Sequence, residues 1–152
     1  MNVAYVDAND HVIGAGSIAN AVDNGIAVRI SRVFLQNSKG ELLLQKRADT
    51  MSSLPGRWDQ TAGGHVDEGE DYKTTALREL AEEMGIEGVE LNEVVIFYSE
   101  EKDEKKVKKR FNKIFTGVYD GEVEIDNDEV DFQWMSLVNV WRKSLKIFPM
   151  VL

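Results

Sequence analysis

The sequence predicts a mixed α/β fold of the α+β kind, and three observations carry that reading. Apolar residues recur with period 2 in some stretches and with a helical period in others, and the two patterns alternate along the chain. Apolar residues make up 43% of the 152 positions, enough for one real core. Turn-forming residues separate the patterned stretches, with no repeat, low-complexity tract or linker among them. One domain over residues 1–152 is therefore expected.

Each element has its own signal. Val3 to Asp7 and His11 to Ile13 read as a short hairpin around Asn9-Asp10. Ser17 is a natural N-cap for a short helix that ends before Gly25. Ala27 to Gln36 and Glu41 to Arg47 read as strands on either side of the turn Asn37-Ser38-Lys39-Gly40. Residues 48 to 57 read as a loop, and Trp58 to Ala62 as extended chain before Gly63-Gly64. Asp71 to Met84 has helical spacing, with Tyr72, Ala76, Leu77, Leu80 and Met84 on the side expected to face the core and Gly85 at C′. Val89 to Ser99 and Phe111 to Tyr119 read as strands joined by a highly charged connection, Glu100 to Arg110. Asp131 to Met135 reads as a short strand. Leu137 to Lys146 reads as a helix capped by Ser136, with Trp141 on its buried face.

Composition excludes several function classes. The net charge of −9 argues against nonspecific nucleic-acid binding, which needs basic surface. No apolar run approaches the ~20 residues of a membrane span, so no membrane partner is expected. The N-terminus lacks a basic start and an apolar stretch of the signal-peptide kind, so the expected location is cytoplasmic. Cysteine is absent, which removes disulfides, a thiolate nucleophile and Cys-based zinc sites. Composition leaves the oligomeric state open between monomer and homodimer.

The segment from Gly64 to Ile86 carries the chemistry. A glycine-containing turn runs into a helix on which Glu79, Glu82 and Glu83 sit at i, i+3 and i+4, and so project from one face. Three like charges there repel one another. A hard divalent cation such as Mg²⁺ would reverse that cost, since it prefers oxygen ligands and bridges carboxylates to phosphates. The alternative reading is a solvated acidic helix on an acidic protein.

The spacing of Gly64, Glu70, Arg78, Glu79, Leu80, Glu82, Glu83, Gly85 and Ile86 resembles the signature of the Nudix hydrolases at every defined position. The resemblance implies a mixed sheet sandwiched between helices. It implies that Glu79, Glu82 and Glu83, with the carbonyl of Gly64, hold two or three Mg²⁺ or Mn²⁺ ions. Glu70 is expected to offset the helix N-terminus, and Arg78 to orient the carboxylates. Glu129, in the acidic stretch Asp126 to Val130, matches a loop carboxylate that serves relatives as an extra metal ligand or as general base. Glu79 is the first choice for that base and Glu129 the second. Arg47, at the end of its strand, matches an arginine that holds substrate phosphate. Trp58, Trp134, Phe97 and Phe111 are expected in the core rather than stacked on a base. The basic run from Lys102 to Arg110 reads as a solvated hairpin loop before it reads as a steering patch.

Tyr5 to Gly14, Asn37 to Leu44, Leu54 to Asp59 and Asp128 to Trp134 resemble the isopentenyl-diphosphate isomerase branch of that family. The chain departs from the isomerases at their catalytic positions. Gly63 stands where their cysteine would be, and Lys108 and Arg110 stand on the strand that would carry their glutamates. The expected function is hydrolysis of a phosphoanhydride bond in a nucleoside diphosphate linked to a group X, with a nucleoside di- or triphosphate as substrate. An isomerase-like enzyme and a ligand-binding module without catalysis are the alternatives.

Overall fold

In the computed structural model, residues 1–47, 57–123 and 130–147 are described, with the backbone alone at Arg47, Asp103, Val130 and 143–147. The chain begins with the expected hairpin, β1 (Val3–Val6) and β2 (Val12–Gly16). Asp7 makes the turn, because its Oδ1 accepts the backbone N–H groups of Asn9 at 2.8 Å and His11 at 3.0 Å. Helix α1 (Ile18–Asn24) starts where Ser17 caps it, accepting from the Asn20 N–H at 3.0 Å, and stops at Gly25 in the left-handed region.

Strand β3 (Ala27–Gln36) organises the sheet. It pairs antiparallel with β1, with β4 (Leu42–Arg47) and with β6 (Ala62–His65), and parallel with β8 (Lys106–Val118). Strand β4 also pairs with β5 (Trp58–Asp59) and β9 (Val130–Met135). The extended stretch expected from Trp58 to Ala62 is thus two short strands, broken where Thr61 turns inward. The buried Thr61 hydroxyl accepts the Leu35 N–H at 2.9 Å and donates to the Leu43 carbonyl, tying β3 to β4.

Strand parity decides the layers. Val33 and Leu35 on β3, Leu43 on β4 and Ala4 on β1 share one core with Tyr72, Ala76, Leu80 and Met84 of α2 (Tyr72–Met84). The alternate positions face the other way. Val28, Val3 and Tyr5 pack with Ala21 of α1. Phe34, Leu42 and Leu44 pack with Met135 and with Val140 of α3 (Leu137–Ile147). The sheet is therefore mixed and has helices on both faces, as the sequence led us to expect. No helix among the described residues is long and apolar enough to cross a membrane.

Four expectations need correction. The charged stretch is no loop: β7 (Asn92–Asp103) and β8 form one long hairpin, turning at Glu104 with a φ of 53°. Opposite charges face each other across it, with Glu100 against Lys109 and Glu101 against Lys108, which is why so charged a sequence pairs. Leu77, expected in the core, is exposed on α2. Trp141, expected on a buried face, is 73% exposed on α3. Phe97 lies exposed on β7, while Trp58, Trp134 and Phe111 are half-buried against core clusters.

Candidate active site

The site begins with two glycines. Strand β6 runs beside β3, with Gly63 opposite Arg32 and Gly64 opposite Ser31. A Cβ at Gly63 would sit 2.7 Å from the Ser31 carbonyl oxygen, so only glycine lets the strands approach this closely. A Cβ at Gly64 would collide with the Glu79 carboxylate. The missing side chain is the space that Glu79 fills.

Helix α2 delivers the carboxylates to this backbone. Asp71 caps it, accepting the Thr74 N–H at 2.7 Å, and Gly85 ends it in the left-handed region. With Tyr72, Ala76, Leu80 and Met84 buried, the face bearing Glu79 and Glu83 is turned towards β6. Glu83 lies beside Glu79. It accepts from Gln45 Nε2 at 2.8 Å and, at 3.4 Å, from the Gly63 N–H. Burial, and then the neighbouring Glu79 carboxyl, push the Glu83 carboxyl up to about 7. A carboxyl so raised keeps its proton to a higher pH than an ordinary glutamate does.

Glu82 does not join them. Its side chain is 60% exposed and lies 3.3 Å from Arg78 Nη1. Arg78 is a hub: it also meets Glu79 at 3.0 Å, Glu70 at 2.9 Å and Asp67 at 3.1 Å. Glu70 in turn accepts from the Thr75 hydroxyl at 3.1 Å, and the Arg78 hydrogen bond is the main reason its pKa is lowered. Arg47 ends β4, where its backbone pairs with Val130. Glu129 lies outside the described residues.

The donor chemistry suits a hard divalent cation. Two neighbouring carboxyls, with Glu83 half-buried and its pKa raised, offer oxygens to a cation beside a glycine backbone with no side chain in the way. The gathering is partial, since among the described residues no three His, Cys, Asp or Glu side chains converge on one point. Glu82 would have to swing from Arg78 to complete the set.

A cleft of about 340 Å³ opens beside Glu83 and Gly63-Gly64. It is lined by Gln45, Asp59, Gln60, His65, Arg32 and Arg110 as well. Sequence alone assigns no role in a hydrolase to Arg32, Gln45, Asp59 or Gln60. One signal was available for Arg32, a cation inside a largely apolar strand, though Arg29 in the same strand shares it. His65 is neutral, because burial first and then Arg110, Arg32 and Lys108 lower its pKa to about 4.

A glycine strand laid against the carboxylate face of a capped helix defines the class of domain, and comparison with known proteins agrees. Residues 27–149 match the NUDIX domain, and the chain belongs to the Nudix family. It is 34% identical over 128 residues to the uncharacterized Nudix hydrolase PA4841 of Pseudomonas aeruginosa, spanning 84% of this chain and 73% of that one. It is also 34% identical over 140 residues to isopentenyl-diphosphate Delta-isomerase 2 of Photorhabdus laumondii, spanning 91% and 78%. Among solved structures it resembles DR0079 from Deinococcus radiodurans, with a TM-score of 0.74 at 20% identity over 95% of this chain and 88% of that one.

Proposed function

We propose that this chain is a metal-dependent hydrolase that cleaves a phosphoanhydride bond in a nucleoside diphosphate linked to X, with a nucleoside di- or triphosphate as the substrate. The observation that carries the reading is the half-buried Glu79–Glu83 pair held against the glycine backbone of β6. Nothing in a structural helix needs two carboxyls in that position, and their mutual repulsion opposes folding.

In this reading Glu79, Glu82, Glu83 and the Gly64 carbonyl hold Mg²⁺ or Mn²⁺, two or three ions in all. Bound there, the metal would neutralise diphosphate charge and acidify the attacking water. The chain's own residues do the rest. Glu79 takes the proton from water as its oxygen attacks phosphorus in line, with Glu129 as the second candidate for that role. The bridging oxygen leaves with the other phosphate. Arg47 binds phosphate. Arg78 positions, since it holds Glu79 and Glu82 while Glu70 and Asp67 anchor it from the preceding turn.

Isomerisation of a five-carbon diphosphate is the second reading, favoured by the likeness to the Photorhabdus isomerase. Against it stand Gly63 at the isomerase cysteine position and a chain with no cysteine at all.

A phosphate-release screen over nucleotides and other diphosphate compounds, with Mg²⁺ and with Mn²⁺, tests the proposal. Turnover of at least one nucleotide that stops on chelation is expected. Absence of release across the whole panel with either metal would overturn it.

A further inference from the structure

The cleft beside Glu83 holds cationic groups for which the proposed hydrolysis has no use. Arg32 and Arg110 come from neighbouring parallel strands, β3 and β8, and both line the cleft. Arg32 is half-buried and is held by neutral partners. Its Nε donates to Asn112 Oδ1 at 3.1 Å and its Nη1 to Gln60 Oε1 at 2.7 Å. Among the described residues it makes no ion pair. Arg110 is 18% exposed and pairs through Nη1 with the exposed Glu101 at 3.1 Å. Asp59 lines the same cleft, but its carboxylate accepts the Gln60 backbone N–H at 2.8 Å and forms an ion pair with neither arginine.

A second observation points the same way. His65 Nε2 is buried without a hydrogen-bond partner among the described residues, and His65 lines this cleft too. An orphaned polar nitrogen and a half-buried guanidinium with Asp59 near it but no close ion pair both carry desolvation penalties. One oxyanion would relieve both, through charge-assisted hydrogen bonds from the arginines and one from a ring N–H.

We propose that Arg32, Arg110 and His65 form an oxyanion subsite, which binds a phosphate or carboxylate group of the substrate remote from the bond that is cut. The placement makes it remote. Gly63 touches both groups: its N–H donates to Glu83 at 3.4 Å, and the Gln60 amide that holds Arg32 packs where a Cβ on Gly63 would sit. Arg32 also has the opposite strand parity to Val33 and Leu35, which face α2. The subsite rests on the hydrolase reading and narrows it, to diphosphate compounds in which X carries a further anionic group.

Binding without metal separates the two ideas. The full chain in excess chelator is titrated with inorganic phosphate and, separately, with acetate, while the arginine Nε–H and His65 ring signals are followed by NMR. At least one anion is expected to give saturable shifts at Arg32, Arg110 and His65. Its Kd should rise at least ~10-fold in Arg32→Gln and in Arg110→Gln, as loss of a charge-assisted hydrogen bond implies, and less in Arg32→Lys. Preference for phosphate or for acetate identifies which group the subsite takes. If Arg32→Gln does not fold, Arg110→Gln and Arg32→Lys carry the test. Binding of neither anion, or binding that is the same in wild type and variants, overturns the subsite even where metal-dependent turnover is found. Arginine-dependent binding with no turnover leaves the subsite standing and removes the hydrolase reading.

Discussion

Arg78 Nη2 lies 2.9 Å from Glu70 Oε1, which fastens the turn before α2 to the middle of that helix. The same guanidinium reaches Glu79 at 3.0 Å through Nη1. The turn, the helix and the carboxylate that lies on Gly64 are therefore positioned by one cation. Arg78 cannot be replaced by lysine without losing the fork, because a single ammonium cannot serve carboxylates on both edges.

The Glu70–Arg78 pair makes stability depend on pH. Arg78 holds the Glu70 carboxyl below its ordinary 4.5, so the folded state keeps this carboxylate ionised to lower pH than the unfolded chain does. The resulting stabilisation is fully present above about pH 4.5 and is lost as pH falls through the lower folded value. In chelator at pH 7, Glu70→Gln should lower Tm by about 2–4 °C, the scale of a partly exposed pair in a chain of this size. The difference from wild type should shrink on acidification below 4.5. A difference that stays constant down to strong acid would show that the pair is not the cause.

Glu83 should show the opposite sign. Its folded pKa is raised, so the folded state binds its proton more tightly and stability falls as pH rises from about 4.5 to about 7. In chelator above pH 7, Glu83→Gln removes this burden and should leave Tm unchanged or higher. With Mg²⁺ the same variant should lose roughly 10²-fold in kcat, of the order seen when one key electrostatic group is removed. A variant that is less stable in chelator and fully active with metal would mean that Glu83 serves the fold alone.

Glutamine substitutions also separate the roles of Glu79, Glu82 and Glu129. Loss of the general base costs about 10²- to 10⁴-fold and removes the acidic limb of the pH profile. Glu79→Gln is expected to do both. Glu82→Gln should lower kcat by roughly 10²-fold and raise the Mg²⁺ concentration needed for half activity. If Glu79→Gln keeps its rate and profile while Glu129→Gln loses both, the base is Glu129.

No isomerisation of isopentenyl diphosphate is expected. The proton transfers to carbon would need an acid where Gly63 stands and carboxylates where the cationic Lys108 and Arg110 stand. The direct check is formation of the allylic isomer with Mg²⁺ or Mn²⁺. Turnover at ordinary enzyme rates, ~1–10³ s⁻¹, would reverse the assignment.

What the sequence determined by itself was whatever depends on near neighbours in the chain. Ser17 and Asp71 accept from backbone N–H groups three residues on, and Gly25 and Gly85 take the left-handed backbone, so α1 and α2 stood where caps and period put them. Strand β3 ran over the residues its apolar pattern marks. Helical spacing likewise gave Glu79, Glu82 and Glu83 a common face. Only the tertiary structure decided that Glu79 lies against Gly64 and Glu83 against Gln45 and Gly63 while Glu82 turns to Arg78. A helical face sets where side chains start, and the groups packed against it set where they end. The same holds for Arg32, whose place in the cleft depends on Asn112 and Gln60, far away in sequence. It holds for the β7–β8 hairpin, where charge that reads as loop in one strand is matched by the strand opposite. Leu77 and Trp141 lie on helix stripes that local pattern marks as apolar, yet burial depends on how wide a stripe the neighbouring layer covers, and no residue near them in sequence carries that information.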